Sequence, residues 1–119
     1  MKRILIAEDT ESNYLLLSII LRKNYDIYRA HDGLEAVELA NGMTFDMILM
    51  DIKMPRMDGL EATRTIRQVN QIIPIVALTA NAYDSDRDKA YDAGCNDYMP
   101  KPIIASELRK MISKYLGEY

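Results

Sequence analysis

Short, wholly apolar runs alternate with longer amphipathic segments, and this alternation limits the folds open to the chain. The runs ILIA, MILM and IVAL each have the length of a strand and contain no polar residue. Uninterrupted apolar strands separated by helices are typical of a parallel sheet that is covered by helices on both faces. The expected fold class is therefore α/β, a doubly wound sandwich.

Five strands and five helices are predicted in strict alternation. The strands span Arg3–Ala7 and residues 25–30, 46–50, 74–78 and 97–99. The helices span residues 11–23, 33–41 and 60–69, then Asp84–Ala93 and Ala105–Leu116. No repeat, linker or low-complexity stretch interrupts this pattern. Residues 1–119 are therefore expected to form one domain that carries no output domain.

Composition narrows the functional classes. A net charge of −3 argues against a broad basic surface for nucleic acid. The single Cys95 cannot form an internal disulfide, which fits a reducing compartment. No apolar run approaches the roughly 20 residues that cross a bilayer, and the start turns acidic at Glu8, too early for the apolar core of a signal peptide. A cytoplasmic protein without membrane insertion is expected.

Polar side chains stand at the ends of the predicted strands. Glu8 and Asp9 follow the first strand, Asp51 the third, Thr79 the fourth and Lys101 the fifth. In open α/β sheets, ligands bind outside the carboxyl edge, at the point where the strand order reverses. For the flavodoxin-like order 2-1-3-4-5, that point lies between the first and third strands. The acids are therefore expected to share one crevice.

The chemistry of these residue types indicates phosphoryl transfer. Neighbouring strands lie about 5 Å apart, so the carboxylates would repel one another unless a divalent cation bound between them. Mg²⁺ prefers oxygen ligands, and a carboxylate beside it is a competent nucleophile toward phosphorus. Asp51 is expected to be that nucleophile. Lys101 would supply positive charge and Thr79 a hydroxyl donor to the phosphoryl oxygens.

The sequence resembles the receiver domains of response regulators in two-component systems. The resemblance covers essentially the whole chain and is carried by four blocks in order: ILIAED at residues 4–9, MDIKMPRMDG at 50–59, ALTANA at 77–82 and AGCNDYMPKP at 93–102. The blocks LTANA and EDTESN are most similar to receivers of hybrid sensor histidine kinases. A stand-alone regulator and a receiver from a hybrid kinase both remain open.

The resemblance implies a metal site and its ligands. Asp51 corresponds to the phosphorylated residue, Asp9 to a direct Mg²⁺ ligand, and Glu8 to a neighbour that usually acts through water. The backbone carbonyl of Lys53 corresponds to a further ligand, and Mn²⁺ is a second candidate ion. The acidic pair is Glu-Asp where Asp-Asp is commoner, which leaves the metal contact of Glu8 open.

The resemblance also implies a switch. Thr79 corresponds to the switch hydroxyl, Lys101 to the lysine that contacts the phosphoryl group, and Tyr98 to the switch aromatic. A cis peptide between Lys101 and Pro102 is implied as well. Phosphorylation would then shift the face formed by the fourth helix, fifth strand and fifth helix, and the charged, poorly apolar fourth helix is expected to be loosely held.

The implied partners are a histidine kinase or a histidine phosphotransfer helical bundle, and the implied donor group is a phosphohistidine. Direct binding of nucleic acid is not expected. A homodimer through the face formed by the fourth helix, fifth strand and fifth helix stays open. The chain would act as a signalling domain that phosphorylates and dephosphorylates itself, and not as an enzyme. If it belongs to a hybrid kinase, the parent protein would be a histidine kinase.

Two other functions use similar residues. A haloacid-dehalogenase-like phosphatase or phosphotransferase also uses Asp, Mg²⁺, a hydroxyl and Lys. That class carries D-x-D at the nucleophile, where this chain has Lys53, and a cap insertion that is missing here. A flavodoxin-like binding module shares the fold, but its phosphate loop needs Ser, Thr and Gly, where this chain has Glu8-Asp9.

Two surface hypotheses complete the predictions. Lys53 and Asn81 each lie two residues beyond a site residue, and they are expected to line the mouth of the site and to affect hydrolysis of the acyl phosphate. On the first helix, Leu15 and Ile19 are expected to be exposed and to dock the donor bundle. Helical spacing places them beside Ser18 and Arg22, opposite a buried side made of Leu16, Leu17, Ile20 and Leu21.

Overall fold

The computed structural model describes residues 1–80 and 84–117, apart from the side chain of Asp84. Strands and helices alternate as predicted. The strands are β1 (Arg3–Ala7), β2 (Asp26–Ala30), β3 (Met47–Asp51), β4 (Ile75–Thr79) and β5 (Asp97–Pro100). The helices are α1 (Glu11–Leu21), α2 (Gly33–Gly42), α3 (Gly59–Arg67), α4 (Asp84–Ala93) and α5 (Ala105–Leu116).

The strands form one parallel sheet in the order β2-β1-β3-β4-β5, which confirms the flavodoxin-like prediction. Successive side chains of a strand point to opposite faces, so each apolar strand supplies two cores. Ile4 and Ile6 of β1 pack under α1 and α5, whereas Leu5 and Ala7 belong to the core under α2 and α3. Burial on both faces explains why the strands are apolar throughout.

The register aligns the carboxyl ends of the central strands. Ala7 is paired with Met50, Asp51 with Leu78, and Thr79 with Pro100. The residues that end β1, β3 and β4 therefore reach the same edge of the sheet, as the sequence predicts.

Helix α1 differs from the prediction in two ways. It ends at Leu21 instead of residue 23, and the chain continues in a turn in which the amides of Asn24 and Tyr25 donate to the Leu21 carbonyl. The predicted buried side is also wrong in part. Leu17 and Leu21 are buried, but Ser18 is buried with them and Leu16 is 42% exposed.

The error at Leu16 has a geometric cause. The buried face of the helix is formed by Leu17, Ser18 and Leu21, and Leu16 lies outside it. Leu15 and Ile19 are exposed as predicted, at 47% and 59%, and Leu16 joins them. The exposed apolar patch of α1 therefore consists of Leu15, Leu16 and Ile19.

Among the described residues, no helix has both the length and the apolar character needed to span a membrane.

Candidate functional site

The predicted catalytic and metal-binding residues meet at the carboxyl edge of the sheet. They surround a cleft of about 400 Å³, and its lining includes Asp9, Asp51, Lys53, Thr79 and Lys101. Glu8 lies beneath them and is fully buried, whereas Asp9, one residue further from the strand, is exposed. The position of this cleft between the ends of β1 and β3 agrees with the reversal of strand order.

Three carboxylates converge in this cleft. One oxygen each from Glu8, Asp9 and Asp51 lie within 4.8 Å of one another. Asp51 is buried, and burial together with the nearby charge of Glu8 raises the pKa of its carboxyl to about 7, although Lys101 opposes the shift. A divalent cation would relieve this repulsion, and an all-oxygen donor set suits Mg²⁺. The residues present therefore fit a magnesium ion.

Lys101 bridges two of the buried acids. Its Nζ lies 2.8 Å from Glu8 Oε2 and 3.2 Å from Asp51 Oδ2. Burial lowers the pKa of the Lys101 amine, but the hydrogen bond that Lys101 donates to Glu8 and the charges of Glu8 and Asp51 outweigh burial and raise it. The ammonium is therefore charged and centred between β1 and β3.

The Glu8 carboxylate is already satisfied by protein donors. Its Oε2 accepts from Lys101, and its Oε1 accepts from the Thr10 amide at 3.2 Å and from Asn13 Nδ2 at 3.5 Å. The sequence pattern predicts Lys101 opposite Asp51 but gives no sign of this closer contact with Glu8. The arrangement leaves Asp9 and Asp51 as the acids with the greater freedom to bind a metal.

The loop between β3 and α3 presents Lys53 at the rim of the cleft, where its side chain is exposed. Gly59 closes this loop, because its amide donates to the Ile52 carbonyl at 2.7 Å. Asp58 caps α3 by accepting from the Glu61 amide at 2.8 Å. A Cβ on Gly59 would lie 2.0 Å from the Asp51 carbonyl oxygen, so the close approach of this loop requires glycine.

Gly59→Ala is expected to destabilise the protein by about 2 kcal/mol, because the methyl group would force the loop away from the Asp51 backbone. Gly42→Ala is the matched control, since a Cβ at Gly42 meets no atom within 4 Å. Urea unfolding of both variants checks the difference. Equal stability of the two variants would contradict this account of the loop.

Thr79 and the segment after β5 complete the site. Thr79 is buried, and its carbonyl accepts from the Lys101 amide at 2.7 Å. The peptide bond between Lys101 and Pro102 is cis, as predicted. Tyr98 is half-buried, and its ring meets the ring of Tyr91 edge-on at a centroid distance of 6.3 Å. Asn81, the other residue predicted at the mouth, lies outside the described residues.

Comparison with known proteins identifies the class that this fold and site define. Residues 4–113 match the response regulator receiver domain family, and the chain belongs to that family. It is 41% identical to part of hybrid signal transduction histidine kinase G of Dictyostelium discoideum, over 95% of this chain but only 4% of the kinase. It is 37% identical to the polar-differentiation response regulator DivK of Brucella anthropi, over 98% of both chains.

Solved structures of receiver domains share the fold of this chain. The receiver domain of sensor histidine kinase PA1611 from Pseudomonas aeruginosa, which has a magnesium ion coordinated in its active-site cleft, shares 38% identity and a TM-score of 0.91 over 98% of both chains. A co-crystal structure from Saccharomyces cerevisiae joins the histidine phosphotransfer protein Ypd1 to the receiver domain of the response regulator Ssk1. It matches with 33% identity and a TM-score of 0.92, over 96% of this chain and 88% of that one.

Proposed function

We propose that this receiver domain accepts a phosphoryl group on Asp51 from the phosphohistidine of a histidine kinase or a phosphotransfer protein. The observation that carries the proposal is the position of Asp51. Its buried carboxylate faces Lys101 at 3.2 Å and shares a cleft with Glu8 and Asp9. Receiver domains are signalling domains, and we propose that this one acts through its phosphorylation state and not as a classical enzyme.

Asp9, Asp51 and the backbone carbonyl of Lys53 would hold Mg²⁺, or Mn²⁺ as a second candidate, with Glu8 supporting the site. The magnesium ion in the PA1611 receiver supports this assignment. When bound, the ion would neutralise the acids and part of the charge that develops on the phosphoryl group. Glu8 would act mainly through Lys101, since its carboxylate already accepts from that ammonium.

In the transfer step, one oxygen of the Asp51 carboxylate forms a bond to phosphorus while the bond from phosphorus to the donor imidazole nitrogen breaks. The electron pair of the broken bond stays on that nitrogen. Lys101 lies close enough to Asp51 to follow the charge onto the phosphoryl oxygens. Thr79, at the end of the adjacent strand, would donate its hydroxyl to one of those oxygens.

The switch would use Thr79 and Tyr98. As Thr79 approaches the phosphoryl group, Tyr98 would leave its edge-on contact with Tyr91 of α4 and turn inward. Among the described side chains of α4, only Ala90 and Ala93 are buried, so few contacts oppose a shift of this helix. The face made by α4, β5 and α5 would carry the signal to a target or to a second copy of the chain.

The exposed patch Leu15, Leu16 and Ile19 would dock the donor bundle, and the Ypd1 complex of the Ssk1 receiver supports a partner of this kind. Leu15→Lys and Ile19→Lys are each expected to slow transfer from a phosphorylated histidine donor by about tenfold, because each would bury a charge in an apolar contact. Ile72→Lys is the matched control, because Ile72 is 89% exposed and lies just before β4, at the amino edge of the sheet and away from the site. Transfer rates equal to that control would contradict docking through α1.

Intact mass tests the proposal. After incubation with Mg²⁺ and acetyl phosphate, the protein is expected to gain the mass of one phosphoryl group. EDTA should prevent the gain, and so should Asp51→Asn. No gain in the wild type, or an equal gain in Asp51→Asn, would overturn the proposed function.

A further inference from the structure

Arg29 lies beside the acidic pair, near the end of β2. Its guanidinium side chain is only 13% exposed, which is unusual for an arginine on the edge strand of a sheet. A buried guanidinium needs partners for its five N–H donors. Those partners show what the residue does.

Arg29 donates to the backbone of both acids that follow β1. Its Nε lies 3.2 Å from the Glu8 carbonyl oxygen, and one terminal nitrogen lies 3.5 Å from the Asp9 carbonyl oxygen. The Glu8 amide donates to the Ala30 carbonyl at 3.0 Å. Strand β2 therefore holds the Glu8 backbone through both its amide and its carbonyl.

Helix α1 fixes Arg29 from the other side. The guanidinium carbon lies 4.5 Å from the centre of the Tyr14 ring, a cation–π distance. The remaining terminal nitrogen forms an ion pair with Glu11 in the first turn of the helix. Contacts on both sides leave the planar guanidinium little freedom, so it connects β2, the acidic pair and α1 as one unit.

We propose that Arg29 is a positioning residue for the metal site, resting on the proposed function above. By fixing the backbone of Glu8 and Asp9, it sets the direction in which the Asp9 carboxylate reaches toward Asp51. Its charge also offsets part of the repulsion among the acids. Mutation of an outer group that orients a metal ligand typically costs roughly 10- to 100-fold in metal affinity or activity.

The test is a calorimetric titration of metal-free protein with Mg²⁺, which gives the Kd for the ion. Arg29→Gln is expected to raise the Kd for Mg²⁺ about tenfold. At saturating Mg²⁺, its rate of phosphorylation by acetyl phosphate should stay within about twofold of wild type, because the reacting groups are unchanged. Arg29→Lys keeps the charge but loses the fork of donors, so an intermediate Kd is expected.

Arg67→Gln is the matched control. Arg67 also donates to a backbone carbonyl, that of Gly94 at 2.8 Å, but it lies near the opposite edge of the sheet. Arg67→Gln should lower the melting temperature and leave the Kd for Mg²⁺ unchanged. This result would separate a structural role of an arginine from a role in positioning the metal ligands.

The outcomes separate the two proposals. If the wild type binds Mg²⁺ and Arg29→Gln binds it equally well, only the role of Arg29 is overturned. If Arg29→Gln does not fold, Arg29→Lys decides, and an unchanged Kd for that variant overturns the role. If the wild type binds no Mg²⁺, this inference and the proposed metal site are both overturned.

Discussion

Asp51→Asn is expected to melt about 5–10 °C above the wild type at pH 8 in buffer free of divalent cations. The substitution keeps the shape of the side chain and removes a buried charge that lies close to Glu8. A shift of one pKa unit corresponds to about 1.4 kcal/mol, and solvent screening reduces the full effect at Asp51 to about 2 kcal/mol.

The difference in melting temperature between Asp51→Asn and the wild type should increase as the pH rises. The pKa of Asp51 is raised from 3.8 to about 7 in the folded protein. The stability linked to its protonated form is fully present below pH 3.8 and is lost as the pH rises through about 7. The variant and the wild type should therefore converge toward pH 4 and diverge toward pH 8. Saturating Mg²⁺ should stabilise the wild type more than the variant.

Asp58→Asn is the matched control for net charge. Asp58 is exposed and caps α3, and asparagine caps helices about as well as aspartate does. Its melting temperature should follow the wild type at every pH. A gain in Asp58→Asn equal to that in Asp51→Asn would show that net charge, and not the acidic cleft, is responsible.

Lys101→Met is expected to lose about 2–3 kcal/mol of stability under the same metal-free conditions at pH 8. Removing the ammonium leaves Glu8 and Asp51 buried without the cation that lies 2.8 and 3.2 Å from them. The double variant with Asp51→Asn should recover part of this loss, because one of the unpaired charges is then gone. Lys114→Met removes an exposed lysine paired with Asp97 and should change stability little.

Lys101→Met also tests the role of this lysine in phosphoryl transfer separately from its role in stability. At saturating Mg²⁺, Lys101→Met is expected to take up phosphate from acetyl phosphate about 100-fold more slowly, because the positive charge beside the transferring group is lost. A rate within threefold of wild type, measured on folded protein, would contradict the role assigned to Lys101.

Much of the fold follows from the pattern of the sequence. Apolar runs with no polar residue inside predict buried parallel strands, and Asp51 and Thr79 at the ends of two such runs predict the edge where the site lies. The direction of a helix face is harder to predict. Angular spacing separates Leu15 from Leu17 on α1, but it does not show that Ser18 would be buried in place of Leu16.

Contacts between distant side chains could not be predicted in this way. The hydrogen bond from Lys101 to Glu8 joins residues 93 positions apart, which no local sequence pattern can reveal. Arg29 reads in the sequence as one polar residue in a half-buried strand. Its contacts with the backbone of the acidic pair follow only from the paired register of β1 and β2.

Locating the phosphoryl group tests the central claim most directly. Protein phosphorylated by a histidine donor is reduced with tritiated borohydride, which converts an acyl phosphate to a labelled alcohol, and is then digested and mapped by mass spectrometry. We expect the label on the peptide that contains Asp51, and specifically at that residue. Label at Glu8 or Asp9, or label that persists in Asp51→Asn, would contradict the assignment of Asp51 as the phosphoacceptor.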